Sequence, residues 1–434
     1  MKMLKGVFAT AGVALLGACS TPMPCDPTGG LCAPMQANTS GAPPGSRAAD
    51  ATAPRAVPNA LPNALPPLAA APGASVQTMP VETPDSAFSG TSSTTPTGRA
   101  PVRIALLLPT RAEALRLPAE ALRAGFMAAY EHEREGVVVN VIETSDDTDE
   151  TLNAYMAAKK DNDIIVGPLS RAGVGAVAAS GTVSKPTIAL NHPDGRGIDN
   201  PIPPNMLVIG LSIEDEARQV AQWAAAEHPG TSALVVSGNS PWQRRLAAAF
   251  AAQWKQLGNQ VQLAELTASN GYLSDAAIVQ LKARVDTEMP AIMFAALDAE
   301  QARQVRAILG SELPAYGASS VNPGLTAGGS MPELDGLRLL DMPWQIQGDN
   351  PAVMVYPRFL GAGRTPDLDR LYALGIDAFR VTLQIAKKPV SAFRIDGVTG
   401  RLTVNFGNGT ARFERVEPGA VYQSGSFKLV DKKQ

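Results

Sequence analysis

Arg103-Ile104-Ala105-Leu106-Leu107-Leu108-Pro109 is a near-continuous apolar run closed by a proline. A strand wetted on one face alternates apolar and polar residues, so a run without alternation predicts a parallel strand buried on both faces. The residues that follow fit that reading. Leu117 to Tyr130 carries Ala121, Leu122, Phe126 and Ala129 near 3.6 spacing, which predicts a helix. Val137 to Ile142 is the next strand, and the acidic loop Asp146-Asp147-Thr148-Asp149 leads into another helix. Asp163 to Pro168, Pro186 to Leu190 and Met206 to Ile209 are further strands, with a turn-rich segment from Asn191 to Pro204. This alternation predicts a parallel, doubly wound sheet.

A second series repeats the pattern. Ser212 with Asp215 reads as a capping box ahead of a helix with Ala217, Val220, Ala221 and Ala224 inward, ended by His228-Pro229-Gly230. Ala233 to Val236 is a strand. Ser240-Pro241-Trp242-Gln243 supplies an N-cap, a first-turn proline and a glutamine at N3. The helix behind it is expected to bury Leu246, Phe250, Trp254 and Leu257, with Gly258 at its C-terminus. Val261 to Leu266, Ala291 to Ala296 and Pro314 to Ala318 are strands, and Gln301 to Leu309 is a helix. The chain then recrosses through the strand Gly336 to Trp344 into a long amphipathic helix, Asp367 to Ala386. Leu402, Val404 and Phe406 alternate with polar residues before Gly407-Asn408-Gly409, and Ala411 and Phe413 follow, which predicts an antiparallel hairpin with one wet face. The fold class is therefore α/β, with two doubly wound lobes joined by several crossovers. No tetratricopeptide-like helical repeat is present.

The N-terminus differs in kind. Lys2 and Lys5 precede a short apolar run from Val7 to Leu16 and small residues, the pattern of a secretory signal peptide. That run is shorter than the roughly 20 residues a transmembrane helix needs. From about Thr21 to Arg99 the chain is rich in Pro, Ala, Gly, Ser and Thr, as in Val57-Pro58-Asn59-Ala60-Leu61-Pro62-Asn63-Ala64-Leu65-Pro66-Pro67. Such prolines remove donors and fix φ, and the apolar mass is too small to offset ordering entropy, so a disordered tether is expected. Extended at about 3 Å per residue, roughly 70–80 residues reach past ~200 Å, against about 50 Å as a relaxed coil. The 434 residues suffice for two or three domain-sized cores, and a net charge of −3 implies no basic face for nucleic acid.

Chemistry is mostly absent from the motifs. There is no GxxxxGK[ST] phosphate loop, no GxSxG elbow and no HExxH zinc motif. The three histidines, His132, His192 and His228, are far apart and lack ligand spacing, so neither a metal nor a cofactor is expected. Gly238-Asn239-Ser240-Pro241 sits where a nucleophile could, but Ser240 is explained as an N-cap. With no nucleophile, base and orienter in view, no enzyme is expected. Ligands of open α/β lobes sit beyond the carboxyl ends of the strands. The candidate cleft residues there are Thr110, Arg111, Ser170, Arg171, Asn191, His192, Ser240 and Trp242. Ser170 has a simpler role as a helix cap, and Arg111 and Arg171 as solvated charges.

Two resemblances extend this reading. Leu16-Gly17-Ala18-Cys19 resembles the lipobox of bacterial lipoproteins, which implies cleavage before Cys19 and a diacylglycerol on its thiol. Ser20, rather than Asp, resembles the outer-membrane sorting class. Cys25 and Cys32 are then left either as a disulfide across CDPTGGLC or as two free thiols. Further on, RIALLLP at 103–109, IIVGPLS at 164–170, PTIALN at 186–191, GLSIEDEAR at 210–218, GLRLLDMPW at 336–344 and LYALGIDAFR at 371–380 together resemble the penicillin-binding-protein activator family, the LpoA or LppC type. With the DGVTGRL segment at 396–402, they also resemble the type I periplasmic-binding-protein fold.

The activator resemblance covers about residues 101–430, and the chain departs from the longest members in having a tether where they have a helical-repeat domain. It implies an outer-membrane lipoprotein that binds a bifunctional penicillin-binding protein and stimulates peptidoglycan synthesis. The alternative is a lipid-anchored receptor for an amino acid or small peptide, whose carboxylate the loop at Ser170 would hold. The expected organisation is a signal peptide at 1–18, a tether at 19–100 and a bilobed head at 101–434. The first lobe is assigned about 101–211 and 340–388, the second about 212–339 and 389–434.

Overall fold

The computed structural model describes residues 100–194, 201–324, 331–361 and 363–430. The expected signal peptide, Cys19, the Cys25 and Cys32 pair and the tether to Arg99 lie outside the described residues.

The first series is β1 (Val102–Leu108), α1 (Arg116–His132), β2 (Val137–Glu143), α2 (Thr148–Asp161), β3 (Ile164–Val166), α3 (Arg171–Ala179), β4 (Thr187–Ala189) and β5 (Met206–Val208). The strands form a parallel sheet in the order β2-β1-β3-β4-β5. Both faces of β1 are covered, which is why its sequence does not alternate. Ile104, Leu106 and Leu108 enter one apolar cluster with Leu122 and Phe126 of α1. Ala105 and Leu107 enter another with Tyr155 of α2 and Val174 of α3. Asp147 of the acidic loop caps α2, its carboxylate accepting from Glu150 N at 2.7 Å.

The second series is α4 (Ile213–Glu227), β6 (Ser232–Ser237), α5 (Pro241–Gln256), β7 (Gln260–Glu265), the short pair β8 (Ala268–Ser269) and β9 (Tyr272–Leu273), α6 (Asp275–Glu288), β10 (Ile292–Ala296), α7 (Ala299–Leu309), β11 (Ala315–Gly317) and β12 (Arg338–Leu340). Ser212 Oγ caps α4 by accepting from Asp215 N at 3.1 Å. Again alternate residues go to opposite faces: Val235 and Phe294 pack with α4 and α5, Leu234 and Met293 with α6 and α7.

After β12 the chain returns to the first lobe through α8 (Pro343–Ile346), α9 (Pro351–Met354) and α10 (Pro366–Lys387). It then forms the antiparallel sheet of β13 (Ser391–Asp396), β14 (Arg401–Phe406) and β15 (Arg412–Val416). Finally β16 (Gly419–Gln423) and β17 (Ser426–Val430) add antiparallel strands to the second sheet, giving the order β17-β16-β12-β11-β10-β6-β7. No helix among the described residues is long and apolar enough to cross a membrane.

Three expectations need correction or addition. Residues 389–434 do not go as a block to the second lobe. Val398, Leu402, Val404 and Phe406 share the cluster of β1, α1 and α10, and it is β16 and β17 that join the second sheet. The alternating face of β14 needs an apolar surface, and α10 with α1 provides it. Leu257 is 44% exposed, because α5 ends there and Gly258, at φ 83°, turns the chain away. Helix α6 has little apolar periodicity to announce it, because it buries only Ile278 and Leu281.

The tightest helix crossing is α1 on α10. A Cβ on Gly125 would stand 1.9 Å from Tyr372 O, and one on Gly375 would stand 2.1 Å from Leu122 O. Neither backbone can approach so closely with a side chain between them. We predict that Gly375→Ala lowers the urea midpoint by an amount worth about 1–3 kcal/mol with m unchanged. In the control, Gly175→Ala in α3, the nearest atom to the new Cβ is 3.9 Å away, and stability should rise by about 0.5–1 kcal/mol.

Candidate functional site

Beyond the carboxyl ends of β3, β6, β10 and β11 lies a cavity of about 850 Å³ between the two sheets. Of the eight sequence-derived candidates, Arg171 and Trp242 line it. The others have local roles. Ser170 Oγ caps α3, accepting from Gly173 N at 3.1 Å. Arg111 pairs with Glu150. Asn191 Nδ2 donates to Leu169 O at 3.0 Å, and its Oδ1 accepts from His192 N at 2.9 Å. His192 borders a different groove, beside α4 and β15. Ser240 Oγ donates to Gln243 Oε1 at 2.7 Å. Thr110 Oγ1 is buried and has no hydrogen-bond partner among the described residues. His228, at the end of α4, places Nε2 3.1 Å from the Tyr316 hydroxyl, which itself donates to Glu227.

Three cations of the cavity are engaged by the protein's own carboxylates. Arg171 Nε meets Asp194 Oδ1 at 2.6 Å, and Arg245 Nε meets Glu214 Oε1 at 3.0 Å. Arg370, the innermost, is held by Asp341 at 2.7 Å and Asp367 at 2.8 Å. A ligand carboxylate would have to displace one of these pairs. The two exposed pairs are worth about 0–1 kcal/mol and yield easily. The Arg370 pair is buried, and removing one partner leaves an uncompensated charge.

Around Arg370 the structure assembles a polar cluster that sequence reasoning missed. Arg370 Nη2 also donates to Ser319 O at 2.8 Å. Asp341 accepts from Asn322 Nδ2 at 2.7 Å and from Met342 N at 2.8 Å. Glu216, at the start of α4, accepts from Ser319 N at 2.9 Å. Burial, assisted by the nearby Asp341 charge and opposed by the Ser319 bond and Arg370, pushes the Glu216 carboxyl from 4.5 up to about 7. One signal was available: Asp341 interrupts the apolar run of GLRLLDMPW where a strand core would continue.

A second cluster ties β15 to the crossover after β5. Asp377 of α10 accepts from Val398 N at 3.1 Å, Thr399 N at 2.8 Å and Thr399 Oγ1 at 2.7 Å. Arg415 donates from Nε to Thr399 Oγ1 at 3.0 Å and from Nη2 to Ile209 O at 2.9 Å. Among the described residues no group of three or more His, Cys, Asp or Glu is arranged to hold a metal ion.

Residues 97–425 match the family model described as "LppC putative lipoprotein". The penicillin-binding protein activator LpoA of Haemophilus ducreyi is 27% identical over 307 residues, covering 69% of this chain and 50% of that protein. The chain spans about half the length of the curated relatives it matches. Among solved structures, a "putative branched-chain amino acid ABC transporter" from Chromobacterium violaceum is 32% identical, with a TM-score of 0.59 over 74% of this chain and 100% of that one. The LpoA C-domain of Haemophilus influenzae, described as a regulator of PBP1A, is 20% identical, with a TM-score of 0.59 over 76% of this chain and 100% of that domain. This last likeness is one of fold, that of periplasmic-binding-protein-like heads.

Two predictions follow from the buried cluster. Arg370→Met should cost about 3–5 kcal/mol in urea unfolding, because Asp341 is left charged and buried. Adding Asp341→Asn should recover part of that loss, and a purely additive double variant would contradict the pairing. The second concerns pH. Unfolded Glu216 releases its proton near 4.5, while the folded state keeps it to about 7. The folded state therefore binds more protons in that window, and this residue's contribution to stability falls as pH rises through it and levels off above. Relative to Glu216→Gln, which keeps the acceptor for Ser319 N, the wild type should lose stability between pH 4.5 and 7; a constant difference would refute the assignment.

Proposed function

Because the chain belongs to the LppC lipoprotein family, we propose that it is an outer-membrane lipoprotein that binds a bifunctional penicillin-binding protein and stimulates its synthesis of peptidoglycan. The observation that carries this reading is the family match over residues 97–425, beside the similarity to relatives named penicillin-binding protein activators. The internal pairing of the cavity's cations supports contact with a protein rather than capture of a charged solute. In this reading the chain is a regulator and not an enzyme. Cys19 carries the lipid at the periplasmic face of the outer membrane, and the segment from Thr21 to Arg99 lets the head reach a synthase in the inner membrane. The bilobed head from residue 101 makes the contact, and Cys25 with Cys32 closes a small loop beside the lipid.

A second reading, a lipid-anchored receptor for an amino acid or small peptide, is favoured by the 850 Å³ cavity beyond the strand ends. It places a ligand among Thr110, Arg111, Ser170, Arg171, Asn191, His192, Ser240 and Trp242. A ligand present at about 100 times its Kd would stabilise the head by roughly 2.7 kcal/mol. A thermal-shift screen of amino acids and short peptides separates the two, since the activator reading expects no shift.

The direct test mixes the Cys19→Ala chain, which lacks the lipid, with the purified bifunctional synthase of the same cell. Glycan polymerisation or cross-linking should rise. Absence of both binding and stimulation would refute the proposal. In cells the same substitution should lower function while the released protein still binds; full function without the lipid would remove the case for anchoring.

A further inference from the structure

Larger than the cavity between the sheets is a groove of about 1220 Å³ on the flank of the head. Met206 and Val208 of β5, Gln222 and Trp223 of α4, and Phe413 and Val416 of β15 line it. Two strand edges run along it. Among the described residues, β5 pairs only with β4 and β15 only with β14, so each ends its sheet. The two edges come into contact without forming a ladder.

The edge of β15 shows its pairing capacity at one end. Gln219 of α4 donates from Nε2 to Arg415 O at 3.1 Å and accepts from Glu417 N at its Oε1, also at 3.1 Å. Those are the two bonds that the peptide group of a neighbouring strand would make. Residues two apart along a strand turn their peptide groups the same way. Phe413 and Ala411 therefore turn theirs as Arg415 does, away from β14 and into the groove. On that side no described strand pairs with β15. Gln219 takes the edge at Arg415 and Glu417, which leaves Ala411 to Phe413 open, about 7 Å at ~3.3 Å per residue, room for the main-chain bonds of a short contact.

The groove also states what kind of segment fits. Its floor is apolar, at the half-buried Val208 over the buried Met206 and Trp223. Its rim carries both signs, with Asp215 and Glu414 set against Arg218 and Arg412. A balanced rim selects neither a polyanion nor a strongly basic tail. Main-chain bonds give affinity in strand addition, and alternate side chains give specificity.

We propose that this groove receives an extended segment of the partner synthase, added as a strand along β15 at Ala411 and Phe413, with apolar side chains at alternate positions seated against Val208 and Val416. The proposal rests on the activator reading and assigns the face through which it acts.

The test uses the full chain and the purified synthase. Gln222 is exposed on α4, so Gln222→Trp fills the groove without entering the core. It should weaken synthase binding at least tenfold and reduce stimulation in step, with an unchanged urea midpoint, while Gln222→Ala should bind as the wild type does. Ala411→Pro removes one outward donor and should weaken binding independently of any bulk in the groove. A photo-crosslinker at position 222 should capture one linear segment of the synthase. Wild-type affinity in Gln222→Trp, or capture of another part of this chain or a second copy of it, overturns the groove while the activator reading stands. If the wild-type chain itself neither binds nor stimulates the synthase, the activator reading fails and the groove assignment with it.

Discussion

The buried pair of Arg370 and Asp341 is the constraint around which the head is arranged. Asp341 is fully buried at the point where the chain leaves β12 for the first lobe, and Arg370 stands in the first turns of α10. A charge so placed is tolerated only with a partner and with its remaining lone pairs filled. Here Asn322, Met342 N and two guanidinium nitrogens fill them. Each partner comes from a different stretch of chain, so the pair forms only when β12, α10 and the loop after β11 are all in place. It adds little net stability over an apolar substitute. What it does is penalise arrangements in which those elements are displaced. Glu216 shows the cost of that choice: burial, with the Asp341 charge adding to it, holds the proton of this third carboxyl up to about 7.

Asp377 and Arg415 tie the other crossover through the Thr399 hydroxyl between them. Asp377 accepts three hydrogen bonds from Val398 and Thr399 and so shapes the loop between β13 and β14. Gly397 is required there because a Cβ would come within 2.5 Å of Asp377 Oδ2. Arg415 then reaches from β15 to the carbonyls of Ile209 and Gly210. Helix α10 thus carries Arg370, which pairs with Asp341, and Asp377, which reaches Arg415 through Thr399, on a body pressed against α1 through Gly125 and Gly375. The recrossing helix is the axis to which both lobes are referred.

The sheets and helices were legible because their cause is local. Apolar runs without alternation in RIALLLP and in Ile292 to Ala296 mark strands covered on both faces, and the caps at Asp147, Ser212 and Ser240 mark helix starts. The site was less legible. Ser170, Asn191 and Ser240 stand at strand ends as expected, yet each is occupied in holding its own loop. A hydroxyl that caps a helix and one that meets a ligand have the same sequence neighbours. Arg370 is hard to read from sequence because on α10 it stands as a charge beside the apolar stripe, and its partner lies 29 positions away. The assignment of residues 389–434 failed for the same reason: alternation announces that β14 has a buried face but not which lobe covers it.

The two concavities differ in what they leave unsatisfied. Between the sheets, the arginines already meet carboxylates, and the polar interior is closed on itself. On the flank, the backbone of β15 beyond Arg415 faces a groove rather than a strand. Open edges are a hazard, since any extended chain can pair with them. The head limits that hazard from both ends: the Gln219 carboxamide occupies the edge at Arg415 and Glu417, and Arg412 and Glu414 place opposite charges on its exposed side. What remains is a short stretch, walled by α4 and floored by β5, too confined for another sheet to dock and of a length suited to one extended segment. A head whose interior is fixed by buried ion pairs can present such an edge without the edge deforming to close itself.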